Sequence, residues 1–144
     1  MRVVLAADHG GFDLKQKIKQ HLEACGDEVI DVGALEHKAR DGFTDYSAEA
    51  IRKIREVAGT MGVFICRTGT LAAMAANRFD GIRAAMCHMV EYAVRAREHN
   101  DANVLCLGGD FLDLQEAKKI VEVFLSTKFL GGKYQKRLHV LDKS

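Results

Sequence analysis

Proline is absent from the 144 residues. The turns must therefore be made by the 13 glycines and by Asn and Asp. Cysteine is sparse: Cys25, Cys66, Cys87 and Cys106 stand far apart, with no CxxC pair and no Cys/His spacing of a zinc site. This excludes a disulfide framework and points to a reducing, cytoplasmic setting. Surplus charge is missing too. A net charge of +1 and a pI near 7.7 give no whole-chain attraction for nucleic acid or an anionic membrane. No apolar run approaches the roughly 20 residues that span a bilayer. The opening MRVVLAAD is too short and too soon charged for a signal peptide, and reads as a first strand. No linker, repeat or low-complexity segment divides the chain.

What remains is an ordinary globular composition, 48% hydrophobic and 28% charged, in a chain long enough for one well-buried core. Val3–Ala7, Glu28–Val32, Val63–Ile65, Ile82–Cys87 and Val104–Leu107 read as strands. Between and after them, helical spacing runs from Asp13 to about Cys25, Asp45 to Ala58, Leu71 to Ala76, Val90 to His99 and Leu114 to Phe129. Residues 34–44 and the basic tail 131–144 carry no period. Five strands alternating with five helices predict a single doubly wound α/β domain over residues 1–144, with a five-stranded parallel sheet covered on both faces.

In such folds ligands bind beyond the carboxyl ends of the strands. That rule selects Asp8-His9, Cys66 to Thr70, His88 and Gly108 to Asp110; the polar run Arg97 to Asp101, closing the fourth helix, joins them. A thiol ending a strand just before a helix start lies in positive potential, which suits it as base or nucleophile. Each candidate has a structural alternative. Cys66 could be a packed core thiol, Asp8 and Thr70 helix caps, His88 a solvated strand end, and His99 a favourable partner of the helix dipole. Neither HGGF nor RTGT has the spacing of a dinucleotide or P-loop motif.

Taken together, Asp8-His9-Gly10-Gly11-Phe12-Asp13-Leu14-Lys15, Cys66-x-Thr68-Gly69, Ala75-Ala76-Asn77, Gly81-Ile82-Arg83-Ala84-Ala85 and Arg97-Glu98-His99-Asn100-Asp101-Ala102-Asn103-Val104 resemble the type B ribose-5-phosphate isomerase family. That family also contains the subunits of galactose-6-phosphate isomerase. The resemblance implies an aldose–ketose isomerase of a small sugar phosphate, working without metal or cofactor through a cis-enediolate. It further implies a homodimer with shared active sites, a tetramer being the larger alternative, and neither a nucleic-acid nor a membrane partner. By the same resemblance Cys66 is the base, and Thr68 with the turn of Gly69 and Thr70 holds the enediolate oxygens. His99, with Asp8 and Thr68, opens the sugar ring, and Asn100 positions hydroxyls. His9 and Arg137 bind phosphate, Arg137 from the tail that reaches the partner subunit.

The sequence departs from the family pattern at the ligand site. Arg67 follows the cysteine directly, Leu71 stands where another glycine is common, Asp110 replaces a phosphate-binding arginine, Lys133-Tyr134 replaces an arginine-histidine pair, and Phe43 replaces a tyrosine. Arg67 and Lys133 can restore the lost positive charge. Three consequences stay open: a phosphate ester of another length, such as a tetrose phosphate; an unphosphorylated or acid sugar; or an Arg67–Asp110 pair that leaves a weakened ribose-phosphate site. A non-catalytic sugar-binding or inactive subunit is the competing class.

Overall fold

The computed structural model describes residues 1–37 and 39–144. Its elements alternate as β1 (Arg2–Ala7), α1 (Phe12–Ala24), β2 (Glu28–Gly33), α2 (Thr44–Glu56), β3 (Met61–Cys66), α3 (Thr70–Ala76), β4 (Ala84–Met86), α4 (Val90–Asn100), β5 (Val104–Gly108), α5 (Leu114–Ser126) and α6 (Lys133–Leu141). All strand pairs are parallel, in the order β2-β1-β3-β5-β4. The apolar runs of β1, β3 and β5 become the three central strands because both of their faces are covered. Ile18 and Leu22 of α1, Ala93 and Ala96 of α4, and Ile120, Val121 and Phe124 of α5 bury Leu5, Val63, Ile65, Leu105 and Leu107 on one face. Ala50, Ile51 and Ile54 of α2, with Ala72 and Ala76 of α3, bury Val4, Phe64, Cys66 and Cys106 on the other.

Three elements differ from the reading of the sequence. The fourth strand is confined to Ala84–Met86, because side-chain amides hold what precedes it. Asn77 bonds the N–H and the carbonyl of Ala84, at 2.8 and 2.9 Å, and Asn103 accepts the Arg83 N–H at 2.9 Å. The fifth helix ends at Ser126; Thr127 turns to extended backbone, where Arg97 Nε donates to its carbonyl. The basic tail is helical over Lys133–Leu141, with only Leu138 buried. A single apolar anchor leaves no helical stripe to read.

The order of strands reverses between β1 and β3. From β1 the chain winds outward to β2 at one edge, and from β3 it winds to β4 at the other. A crevice opens where the direction changes, beyond the carboxyl ends of β1 and β3.

Candidate active site

Asp8, His9, Cys66, Arg67, Thr68, Gly69 and Thr70 all follow or end β1 and β3, at that crevice. Cys66 is buried, and the Gly69 N–H points at its sulfur at 3.2 Å, a contact that strengthens when the sulfur is charged. Gly69 reaches this position at φ +83°, a left-handed conformation that glycine adopts without penalty. Thr68 Oγ1 accepts the Thr70 N–H at 3.1 Å, so its own hydroxyl proton is left for another acceptor. The loop lies directly on the end of β5: a Cβ on Gly108 would stand 2.8 Å from the Thr68 carbonyl oxygen. Backbone bonds from Gly109 N to Cys66 O (2.8 Å) and from Asp110 N to Arg67 O (3.0 Å) complete the floor. The other buried thiols are poor bases. Burial pushes Cys87 up to about 11 and Cys106 well above its ordinary value.

Asp8 is buried beside them, accepting the Gly10 N–H at 2.9 Å. Burial raises its carboxyl above the usual range, more than the backbone donors of Gly10 and Gly11 lower it. His9 is gripped from the loop before α2. Its backbone N–H and ring Nδ1 meet Asp41 Oδ1 at 2.8 and 2.9 Å, and Tyr46 donates to Asp41 Oδ2 at 2.6 Å. Burial would raise the Asp41 carboxyl, yet these donors together hold it below the usual range. Neither Asp41 nor Tyr46 stands out in the sequence, because the loop has no period and His9 lies 32 residues away. Arg67 Nη1 faces both carboxylate oxygens of Asp110 at 3.4 Å, so the two departures from the family pattern pair with each other.

His88 also lies at the crevice end, its ring beside Gly108 and edge-on to Phe111, whereas His99, Asn100, Lys133 and Arg137 lie at the other end of the sheet. Helix α4 runs back along the strands, and Asn103, just past its end, accepts the N–H of Gly62 at the start of β3. Gly62 and Cys66 are four residues apart on one strand, on the order of 13 Å. His99 and Asn100 therefore do not meet Asp8 and Thr68 within one chain. Within the Arg97 to Asp101 run, Arg97 and Asp101 are structural. Arg97 Nη1 bonds Asp101 Oδ1 and the Ala102 carbonyl, and Arg83 bonds Asp101 Oδ2. His99 instead faces α6, where Tyr134 stacks on it at 4.3 Å and 10°. Lys133 and Arg137 lie 5.2 and 5.6 Å from the Tyr134 ring. One end thus holds the thiol and a carboxyl, and the other an imidazole under basic residues.

A family model for ribose/galactose isomerases matches residues 3–141. The chain belongs to this family. It is 39% identical to a probable ribose-5-phosphate isomerase B of Mycoplasma pneumoniae, over 94% of this chain and 90% of that protein. The ribose 5-phosphate isomerase from Thermotoga maritima superposes with a TM-score of 0.95 at 38% identity, covering 99% of this chain and 98% of the other. A ribose-5-phosphate isomerase B from Mycoplasma genitalium, solved with bound ribulose-5-phosphate, gives 0.94 at 35% identity, over 99% and 94%. Membership of the isomerase family accords with the sequence resemblance and with the five-stranded parallel fold. Among the described residues no helix is long and apolar enough to cross a membrane.

Proposed function

We propose that this isomerase interconverts ribose 5-phosphate and ribulose 5-phosphate, with Cys66 as the base. The observation that carries the reading is Cys66 itself: a thiol at the switch-point crevice with the Gly69 N–H 3.2 Å from its sulfur. In the open-chain aldose the thiolate takes the proton from C2, and the electron pair of that C–H bond becomes the C1–C2 double bond of the enediolate. The same sulfur returns a proton to C1, while a proton passes from the C2 oxygen to the C1 oxygen. Thr68 supplies the hydroxyl beside these oxygens, where a fixed donor stabilises developing charge.

The division of the candidates between two ends supports a homodimer. His99 and Asn100 from a second copy would complete the crevice for ring opening and hydroxyl binding, and Lys133 and Arg137 of its tail would meet the phosphate together with His9. Leu71 and Met74 of α3, which follows the Cys66 loop, and Met86, Met89 and Tyr92 in and after β4 are exposed apolar side chains, with Met86 lying against the loop at Gly69 and Thr70. They supply the kind of surface a second copy would cover. Four reduced cysteines and a phosphorylated substrate fit a cytoplasmic enzyme.

The Arg67–Asp110 pair favours a second reading, in which specificity has moved to another ester or a free sugar. An isomerisation assay over C4, C5 and C6 sugars and their phosphates, with Cys66→Ala as control, separates the readings. Cys66-dependent turnover of the pentose phosphates supports the first. Activity confined to another ester or to a free sugar supports the second, and inactivity throughout leaves a sugar-binding or inactive subunit.

A further inference from the structure

Resting on the isomerase reading above, we infer that Asp41, braced by Tyr46, is the positioning residue that decides how His9 faces the substrate. The His9 ring nitrogen Nδ1 stands 2.9 Å from Asp41 Oδ1 and 3.1 Å from the Asp41 carbonyl oxygen. Both are acceptors, and the Asp41 carboxyl is held in its ionised form by three donors. Nδ1 therefore carries the hydrogen, whether the ring is neutral or charged. Nε2 is the atom left for a ligand, and among the described residues it has no hydrogen-bond partner. The same Asp41 oxygen also accepts the His9 backbone N–H, so one carboxylate fixes both the main chain and the ring.

Tyr46 fixes the carboxylate in turn. Its hydroxyl donates to Oδ2 at 2.6 Å, and burial and Asp41 push its pKa up to about 12, so it remains a donor at working pH. The charged groups around His9 come from every side: Asp8 at the end of β1, Asp41 from the loop, Asp45 of α2 near Tyr46, and Arg67 packed against Gly10. Among the described residues only Asp41 bonds the ring. The arrangement has the orienting logic of an imidazole backed by a carboxylate, in which the far nitrogen is presented in one fixed state. A neutral His9 offers Nε2 as an acceptor for a sugar hydroxyl. A protonated His9 offers Nε2–H to a phosphate oxygen. Swapping the tautomer would deny the neutral ring its acceptor role, and freeing the ring would lose both.

The test compares Asp41→Ala, Tyr46→Phe and His9→Ala with the Asp41→Ala/His9→Ala double variant, using ribose 5-phosphate. Asp41→Ala should raise KM about tenfold or more and change kcat less, with Tyr46→Phe in between. Asp41→Asn, whose amide oxygen can still accept from Nδ1, should recover most of the loss. Because Asp41 acts through His9, the double variant should be no worse than His9→Ala alone. Additive losses, or an unchanged KM in Asp41→Ala, would overturn the inference. Nitrogen-15 NMR of the wild-type protein at high pH gives a readout independent of activity and of variant folding. The Nδ1–H tautomer of His9 is expected, and the Nε2–H tautomer would sink the idea. Absence of isomerase activity in the wild type would defeat the functional reading, while the tautomer would still decide the role of Asp41.

Discussion

Tyr134 lies flat on His99, ring centroid to ring centroid 4.3 Å, with the planes within 10° of parallel. The phenol thereby covers one face of the imidazole. Arg95 Nη1 lies 3.3 Å from His99 Nε2, so the ring is held at its face and at its edge. Tyr134 thus sets an aromatic plate over His99, the residue proposed for ring opening.

Removing that plate should slow the aldose reaction selectively. Ribulose 5-phosphate has its C5 oxygen esterified and cannot close a furanose ring, so it needs no opening. Tyr134→Ala should lower turnover of ribose 5-phosphate about tenfold while leaving exchange of the ketose C1 proton with solvent near the wild-type rate. Proton NMR in deuterated buffer measures the exchange, and Tyr134→Phe should behave as wild type. Equal loss in both reactions would remove His99 from ring opening.

Subunit mixing tests the shared site. Cys66→Ala and His99→Ala variants, each inactive alone, should regain about a quarter of wild-type activity after denaturation and refolding together. Half the dimers are then mixed, and each has one intact site. A Met74→Asp variant should be a folded monomer by sedimentation and should fail to complement either.

The Arg67–Asp110 pair is exposed on both sides, so breaking it should change stability by no more than about 1 kcal/mol. Its effect should appear in binding. Asp110→Ala removes an anion beside the crevice and frees Arg67, and should lower KM for a phosphate ester by about threefold. A raised KM would mean that Asp110 holds Arg67 in its binding pose.

Acid and base limbs of stability should respond to different aspartates. Asp8 has its carboxyl raised by burial, so its contribution is most favourable below about pH 4 and is lost as pH rises through the raised value. Asp8→Asn should therefore stabilise the fold at pH 7. Asp41 is lowered on balance, so its contribution is present above about pH 4 and is lost as pH falls through the lowered value. Asp41→Asn should destabilise at pH 7, and the deficit should vanish in acid. Urea unfolding across pH reads both signs.

Lys15 is fully buried on α1, bonding Asp31 Oδ1 and the Ala34 carbonyl, each at 2.6 Å. Lys15→Ala leaves the buried Asp31 to Lys19 Nζ at 3.5 Å and the Gly33 N–H at 3.1 Å and should destabilise by about 3 kcal/mol, whereas Lys15→Met with Asp31→Leu should cost less. Chemical denaturation of both variants decides this.

The sequence discloses those parts whose physics is local. Val3–Ala7, Val63–Ile65 and Val104–Leu107 are readable as strands because burial on both faces requires unbroken apolar runs. The crevice residues are readable because a doubly wound sheet places ligands at strand ends. The Arg97 to Asp101 run is legible only as a unit, since Arg97 and Asp101 tie down the helix end while His99 faces α6. Asp41 is invisible because its partner His9 comes from another strand end, and α6 because Leu138 is its only buried anchor. The opposed placement of Cys66 and His99 follows from helix direction, a tertiary property that motif order does not carry.

The close seating of the Cys66 loop on Gly108 has a consequence for how this enzyme can diverge. The bed of the crevice is main chain: amides and carbonyls bonded to one another, with no room for a side chain at Gly108. Mutation cannot redecorate such a surface without wrecking it. Arg67 and Asp110, whose side chains are exposed at the crevice, and the exposed Leu71 in the first turn of α3 can be exchanged freely by comparison. The loop that carries Cys66 and Thr68, the residues proposed for proton transfer, thus rests on main chain that side-chain replacement cannot reach, so a lineage can try new sugars through exposed side chains while that loop keeps its seat.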